Sequence, residues 1–296
     1  MNTRHLILAP LRGVTLRCFR EVFADVLAEV GFTEAVTPFI CANPGLDPLK
    51  DRELKPSNLP PLRPSNLLLT PQFIGKDPEA LRFCLERIKA AGYETADLNC
   101  GCPFPMVRNK GRGSGILRTP DVLRRMMEVG CEVMGPGRFS VKTRLGVKRT
   151  DELLQLMPLV NEFPLRFLTV HARTAEQMYE GACDTDALRK VQEVAKVPVV
   201  PNGDLPLPTL QPSSPPTFQP SALMIGRPFL RDLGGRADIG ELLDRYVEAS
   251  RAELHGERPV LGRLKELLAY WKDLPDWRRR WQIAKMARSL DELKVW

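Results

Sequence analysis

Short apolar segments recur along the chain, and longer segments with apolar residues at helical spacing separate most of them. The short segments cover residues 5–10, 32–39, 67–75, 95–100, 139–146, 166–173, 197–204 and 222–226. Short apolar runs between glycine or proline breakers are typical of buried strands, whereas the helical period between them indicates crossover helices. Eight such strands with helical crossovers predict an α/β protein, a (β/α)₈ TIM barrel.

The connections between these strands differ in proline content. The predicted helices cover residues 16–30, 77–91, 119–134, 150–162, 185–196 and 238–254. Residues 41–65 and residues 205–221 hold six prolines each, and a proline in a helix interior costs about 3 kcal/mol. We therefore expect irregular connections there. The predicted catalytic barrel covers residues 1–235, and residues 236–296 form a small C-terminal helical domain.

Composition narrows the class of protein. The chain is 43% hydrophobic and 27% charged, and its apolar runs fall far short of the ~20 residues that a membrane helix needs. We expect no membrane span, and the first ten residues hold too short an apolar run for a signal peptide. The seven cysteines, an odd number at irregular spacing, favour a reducing cytoplasm, and the absence of a second close pair argues against a metal site.

The positive charge is concentrated in the C-terminal segment. The net charge is +7, and residues 259–288 carry eight basic side chains against three acidic ones. Trp271, Trp277 and Trp281 are interleaved with them, as on a surface that meets phosphates and bases. A solvated helical face with tryptophans in the core explains the same pattern equally well.

Polar residues stand where the predicted strands end, and in a TIM barrel that edge is the catalytic face. They are Arg12, Gln72, Asn99, Cys102, Lys142, Arg144, His171, Arg173, Asn202, Gly203, Asp204, Gly226 and Arg227. The glycine turns after the last two strands can cradle a phosphate. Lys142 and His171 can face the electron-rich end of a flavin, and Gln72 its carbonyl edge. A rim salt bridge for Lys142 and a structural imidazole for His171 are the alternatives.

Cys102 follows a buried strand and precedes a cationic loop. Cys100 is expected in the core, whereas Cys102, beyond Gly101, is expected to be exposed. The loop at residues 103–118 has four basic residues, three glycines and no acidic residue, which suggests a mobile segment. An exposed thiol in basic surroundings is a candidate acid, base or nucleophile, and an inert buried thiol or half of a metal site are the alternatives.

Eight segments in order resemble the tRNA-dihydrouridine synthases, flavoenzymes that reduce uridine in tRNA. They read LAPLRGVT, PQFIGKDPE, ADLNCGCP, KGRGSGILR, VKTRLG, LTVHARTAEQMYEG, PVVPNGD and MIGR. The tail segment LGRLKELLAYW is most similar to the bacterial C-type subfamily, which acts at a D-loop uridine. The proline-rich residues 205–221 depart from the family, because a barrel helix is expected there.

The resemblance implies FMN and NADPH as cofactors, tRNA as partner, a cytoplasmic location and, we expect, a monomer. The implied FMN contacts are Pro10, Leu11, Arg12, Gln72, Lys142, His171, Asn202, Gly203, Asp204, Gly226 and Arg227. Asn99 with Arg173 would meet the substrate and Cys102 would donate the proton. Arg263, Lys265 and Lys285 would hold tRNA.

Two other functions fit parts of the pattern. A flavin barrel that acts on a small molecule would share the phosphate cradle without using the basic tail. A tRNA-binding protein without the cofactor would still use the basic tail. In that case the proline-rich connection would have removed the phosphate cradle.

Overall fold

Ten parallel strand segments form one sheet in the structure, a computed structural model that describes residues 5–54, 67–204 and 221–293. The strands are β1 (His5–Leu8), β2 (Phe32–Val36), β3 (Ile40–Cys41), β4 (Leu68–Thr70), β5 (Gln72–Ile74), β6 (Ala96–Cys100), β7 (Phe139–Gly146), β8 (Leu168–Thr174), β9 (Val199–Asn202) and β10 (Ala222–Ile225). Their order across the sheet is β3-β5-β6-β7-β8-β9-β10-β1-β2-β4.

Pro71 joins the two ends of this order, which closes the sheet into a barrel. It alone separates β4, which pairs with β2, from β5, which pairs with both β3 and β6. Proline cannot donate a hydrogen bond, but the Pro71 carbonyl accepts one of 2.9 Å from the Asp97 amide. β2 with β3 and β4 with β5 thus act as two longer strands. The predicted (β/α)₈ barrel is confirmed.

Helices follow most of the strands, as predicted. They are α1 (Arg17–Val22), α2 (Ala24–Val30), α3 (Pro78–Ala90), α4 (Pro105–Arg108), α5 (Pro120–Met134), α6 (Glu152–Val160), α7 (Thr185–Val194), α8 (Arg227–Leu233), α9 (Ile239–Glu253), α10 (Glu257–Leu268) and α11 (Pro275–Met286). The helix predicted at residues 16–30 is interrupted at Phe23. The proline-rich residues 205–220 lie outside the described residues, and so do residues 55–66.

A buried carboxylate closes the N-terminal end of the barrel. The fully buried Glu34 accepts hydrogen bonds from Arg166 at 2.6 and 2.9 Å, from His5 at 2.9 Å and from Thr70 at 2.7 Å. Burial raises the pKa of Glu34, but the bonds from His5 and Arg166 outweigh it and lower this pKa to about 2. This end therefore holds an ion pair that supports the fold, away from the catalytic face.

The C-terminal helices share a hydrophobic core with the barrel. One cluster of buried side chains joins Phe19 of α1 and Phe229 of α8 to Leu264 of α10 and Ala284 of α11. Trp271 and Trp277 are buried in it, and their indole N–H groups donate to the carbonyls of Leu230 and Gly234 at 2.6 and 2.7 Å.

Two of the three tail tryptophans are therefore core residues, so for them the structure supports the second of the two alternatives, tryptophans in the core, and not an aromatic RNA surface. The indole rings of Trp271 and Trp277 serve to dock the tail on α8. The predicted boundary at residue 236 stays a prediction.

Candidate active site

A pocket of about 350 Å³ opens at the C-terminal edge of the strands, a size typical of ligand sites. It is lined by Ala9, Pro10, Leu11, Arg12, Phe39, Asn99, Gly101, Cys102, Phe104, Lys142, Arg144, His171, Tyr179, Asn202, Gly203, Gly226, Arg227 and Tyr270. Among the residues that the structure describes, four arginines and lysines line it and no carboxylate does. Its chemistry therefore favours an anionic or electron-rich ligand.

Asp204 accepts hydrogen bonds from two arginines beside the glycine turns. Its Oδ2 accepts hydrogen bonds of 2.9 Å from Arg173 and 2.7 Å from Arg227. Its Oδ1 is buried without a hydrogen-bond partner among the described residues. Gly203 has φ of +137°, and a Cβ there would lie 2.6 Å from Cys183 Sγ, so the turn after β9 requires glycine.

Lys142 is a buried cation on β7. Its Nζ donates a 2.9 Å hydrogen bond to Asn202 Oδ1, and Asn202 Nδ2 donates to the Met224 carbonyl at 2.8 Å. These bonds fix the position of the amide on β9 and of the lysine. Burial, reinforced by the charge of Arg144, lowers the pKa of Lys142 to about 8. Lys142 is therefore still mostly charged at neutral pH.

His171 is held as a neutral imidazole. Burial, with the neighbouring charges of Arg144 and Lys142, lowers its pKa well below the ordinary value. Arg173 Nη1 lies 3.2 Å from His171 Nε2, and because an arginine can only donate, Nε2 must accept. The proton of the neutral ring is therefore on Nδ1, which makes the ring a hydrogen-bond donor through that atom.

Cys102 lies in the pocket wall, but its side chain is only 7% exposed. The expectation of an exposed thiol is wrong because the following loop folds back over it. Ser114 donates to the Cys102 carbonyl through its amide at 3.1 Å and its hydroxyl at 2.9 Å. Gly113, at φ of +56°, packs so closely that a Cβ would lie 2.7 Å from Cys102 Cβ.

The Cys102 thiol is protonated at neutral pH. Burial raises its pKa, which outweighs the opposite effects of a backbone hydrogen bond and of the charge of Arg144. A protonated thiol can donate a proton, whereas a nucleophilic cysteine needs to be a thiolate. The environment therefore favours the acid among the roles that the sequence left open.

A buried chain of hydrogen bonds runs behind the pocket. Ser140 donates to Asp97 Oδ1 at 2.6 Å, Gln72 Nε2 donates to Asp97 Oδ2 at 2.8 Å, and Asn99 Nδ2 donates to Gln72 Oε1 at 2.8 Å. Asn99 Oδ1 then accepts from the amides of Gly101 and Cys102 at 3.1 and 2.9 Å. Burial raises the pKa of Asp97 to about 6.

This series of hydrogen bonds gives different roles to two of the predicted site residues. Asn99 lines the pocket, and because its oxygen already accepts two bonds, its remaining Nδ2–H is what it can offer to a ligand. Gln72 is fully buried and does not line the pocket. Its amide orients Asn99.

Arg144 and Tyr179 complete the site, and neither was among the predicted contacts. Arg144 donates to the carbonyls of Gly101, Thr174 and Met178 at 2.9, 2.8 and 2.6 Å. The guanidinium groups of Arg144 and Arg227 each lie 5.1 Å from the centre of the Tyr179 ring. Tyr179 is thus held between two cations. The tyrosine sits in an irregular loop, where no period predicts its direction.

One side chain of the C-terminal segment lines the pocket. Two of the three residues predicted there to contact RNA instead bond to other parts of the protein. Tyr270 lines the pocket. Arg263 is buried and pairs with Glu253 at 2.8 Å. Lys265 donates to the carbonyls of Lys285 and Ala287 at 3.2 and 2.6 Å, at the C-terminal end of α11. Of the three predicted tail contacts, only Lys285 is exposed.

Within residues 5–54, 67–204 and 221–293, no helix has the length and apolar character needed to cross a bilayer. In that part of the chain, no group of three or more histidine, cysteine or acidic side chains is placed to hold a metal ion. All seven cysteines lie there, and none forms a disulfide.

Solved structures with this fold include an old yellow enzyme homologue and a morphinone reductase. The old yellow enzyme homologue from Zymomonas mobilis superposes with a TM-score of 0.56 at 12% identity, covering 78% of this chain and 87% of that chain. Morphinone reductase in complex with tetrahydroNAD gives a TM-score of 0.51 at 10% identity, covering 77% of this chain and 84% of that chain. At such low identity the likeness shows the fold alone.

Proteins related by sequence share a higher identity with this chain. tRNA-dihydrouridine synthase B of Vibrio cholerae is 31% identical over 249 residues, covering 82% of this chain and 72% of the relative. The enzyme of the same name from Escherichia coli K12 is 29% identical, covering 80% and 74%. These relatives carry the B designation, so they add no support for the C-type subfamily that the tail suggested.

The model of the family described as "Dihydrouridine synthase (Dus)" matches residues 7–232. That range contains the barrel strands and nearly all residues that line the pocket, and it confirms the resemblance seen in the sequence. The chain therefore belongs to the dihydrouridine synthase family.

Proposed function

We propose that this protein reduces a uridine in tRNA to 5,6-dihydrouridine, with FMN as bound cofactor and NADPH as reductant. The observation that carries the proposal is the protonated Cys102 thiol in the wall of a cationic pocket that no carboxylate of the described residues lines. The names of the similar enzymes supply the reaction, and the pocket supplies groups suited to it.

The donors of the pocket fit an FMN group. Lys142 is a fixed cation, neutral His171 offers Nδ1–H, and Arg227 stands beside the Gly203 turn. A reduced flavin gathers negative charge on its ring and FMN carries a phosphate, so cations and N–H donors suit both ends. Pro10, Leu11, Arg12, Asn202 and Gly226 would line the same cofactor site. Asp204, already paired with two arginines, would position Arg227 there.

The reduction adds one hydride and one proton across the C5–C6 bond of uracil. The flavin, re-reduced by NADPH, would supply the hydride to C6. Cys102 Sγ would supply the proton to C5, so the thiol must be protonated when substrate binds. Asn99, with one Nδ2–H unused, would donate to a uracil carbonyl. Arg173 is buried and does not line the pocket, so it would act indirectly by holding His171 and Asp204.

A uridine reaches this pocket only after it leaves its stack in the folded RNA. The exposed cations of the rim and the tail, Arg12, Lys110, Arg118, Arg278 and Lys285 among them, would hold the phosphate backbone. Residues 236–296 would thus contribute tRNA binding, and the resemblance points to a D-loop uridine. We infer a cytoplasmic location, because tRNA and NADPH are both found in the cytoplasm, and we propose that the protein acts as a monomer.

The proposal is tested with purified protein, its visible spectrum, and tRNA from a strain that lacks its dihydrouridine synthases. We expect a flavin spectrum and dihydrouridine formed in the presence of NADPH. A yellow protein that leaves tRNA unmodified would point to a small-molecule flavin enzyme. A colourless protein that FMN does not reconstitute but that binds tRNA tightly would point to a binding protein.

A further inference from the structure

An exposed apolar tip stands at the mouth of the pocket. Phe104 is 42% exposed and lines the pocket, and Met106, two residues further along, is 76% exposed. Phe104 is the N-cap of the short helix α4 and Met106 lies in its first turn, shortly after Cys102. Exposed apolar side chains are common on protein surfaces, but two of them at the mouth of a binding pocket are a candidate contact surface.

The tip is surrounded by positive charge. Arg108, Lys110 and Arg112 follow it, and no acidic residue occurs between residues 101 and 118. The Nε atoms of Arg108 and Arg112 are buried without a hydrogen-bond partner, and neither side chain forms an ion pair with the part of the chain that the structure describes. Apolar side chains flanked by unpaired cations suit a partner that combines phosphates with flat apolar faces, which is a nucleic acid.

The tip is firmly connected to Cys102. The amides of Val107 and Arg108 both donate to the Phe104 carbonyl at 2.9 Å. Gly115 packs against Arg108 so closely that a Cβ would lie 3.0 Å from its carbonyl carbon, while Gly113 packs on Cys102. Hydrogen bonds and close glycine contacts therefore fix the main chain between Cys102 and Arg108.

We infer that Phe104 and Met106 form an apolar wedge that enters the tRNA stack at the place that the target uridine leaves. This inference rests on the proposed function. Removing a base from its stack costs a few kcal/mol, and an inserted apolar side chain can restore part of the lost contact, as in proteins that kink nucleic acids. The wedge therefore lowers the cost of opening the stack, and it adds little to the affinity for the phosphate backbone.

The test compares two substitutions of similar size in the flavin-containing protein, Met106→Leu and Met106→Gln. On folded tRNA we expect Met106→Leu to keep the single-turnover rate, because apolar volume is retained. Met106→Gln should lower that rate about tenfold or more, since a polar side chain gains little between bases. The dissociation constant for tRNA should change less than about threefold in both.

The control is Val194→Gln, because Val194 is 47% exposed at the C-terminal end of α7, outside residues 236–296, and does not line the active-site pocket. It should behave as the unaltered protein. Equal rates for Met106→Leu and Met106→Gln would overturn the wedge. So would a loss that lies in tRNA affinity alone, or a change of oligomeric state, which would make the tip a protein interface.

A short single-stranded RNA provides a second readout, because its uridine needs no unstacking. If the unaltered protein reduces that RNA, Met106→Gln should reduce it at the same rate, and an equal loss on both RNAs would contradict the wedge. Failure of the proposed function is seen separately, as absence of flavin or of dihydrouridine with the unaltered protein.

Discussion

Asn99 Nδ2 donates a 2.8 Å hydrogen bond to Gln72 Oε1, and this bond decides what Asn99 can offer to a ligand. With Nδ2 directed to Gln72 and Oδ1 directed to the amides of Gly101 and Cys102, the carboxamide cannot rotate by half a turn. Gln72 is itself oriented by Asp97 at 2.8 Å. The strand behind the pocket thus fixes the orientation of the side chain in front of it.

Gln72→Met should therefore lower tRNA turnover without removing flavin. The apolar side chain removes the partner of Asn99 Nδ2 and of Asp97 Oδ2, which costs about 1–3 kcal/mol of folding free energy per buried group. We expect a lower melting temperature, unchanged flavin content and a reduced single-turnover rate. Gln155→Met, at an exposed position, is the control. Loss of flavin in Gln72→Met alone would show instead that Gln72 contacts the cofactor.

Cys102→Ala should keep the flavin spectrum and lose most turnover. Removing a general acid typically costs a factor of about 10²–10⁴ in rate, and the small alanine leaves the Ser114 bonds to the main chain of residue 102 in place. The measurement is single-turnover oxidation of the reduced enzyme by tRNA. Cys41→Ala, at an exposed cysteine, should be unaffected. A normal rate in Cys102→Ala would remove the proton-donor role.

The pH dependence of turnover should include a loss above about pH 8. The pKa of Lys142 is lowered to about 8, so its charge is present below that pH and disappears as the pH rises through it. If this charge stabilises the electron-rich flavin, the rate of flavin reduction falls with it. Lys142→Arg keeps the positive charge at higher pH, so the turnover of this variant should persist to a higher pH. An unchanged upper limit in that variant would exclude Lys142 as the titrating group.

Arg263 and Lys285 should give opposite phenotypes. Arg263 is buried against Glu253, and removal of one partner of a buried pair costs about 3–5 kcal/mol, so Arg263→Ala should lower the melting temperature. Lys285 is exposed, so Lys285→Ala should leave stability unchanged and weaken tRNA binding. The number of ions released on binding, read from the salt dependence of the affinity, should fall by about one. Thermal melts and binding titrations at several salt concentrations distinguish them.

Acid should destabilise the barrel through Glu34. Its pKa of about 2 lies below the ordinary 4.5, so its contribution is complete above pH 4.5 and is lost as the pH falls towards 2. The linked free energy is about 3 kcal/mol. Glu34→Gln should flatten the acid limb of a stability–pH curve. Asp151→Asn, in the exposed pair with Arg149, should not, because exposed pairs contribute little.

The strands and helices could be predicted because their signals are local. A buried strand such as β6 shows its alternating apolar residues and its glycine breaker within a few positions, and the order of eight such segments leaves few topologies. The strand ends then carry the polar residues to one face. Most of the predicted cofactor contacts accordingly line one pocket.

The residues that were predicted wrongly or missed are all positioned by contacts between segments that are apart in the sequence. Cys102 is buried by a loop that returns at Gly113 and Ser114, and Arg263 is buried by Glu253 and Cys18. Tyr179 is positioned by arginines from β7 and from the start of α8. None of these partners is visible in the spacing of the residue itself. The family resemblance therefore suggested a tRNA contact for Arg263, and the position beyond Gly101 suggested exposure for Cys102.

The docking of Trp271 and Trp277 on α8 bears on how the molecule can be divided. The same turn that buries Trp271 brings Tyr270 into the pocket wall. A fragment that ended before α10 would expose the apolar surface of Phe229 and Leu230 and would open one side of the cavity. The basic tail and the barrel should therefore unfold in a single cooperative transition, and the tail can be probed by point substitution but not by truncation.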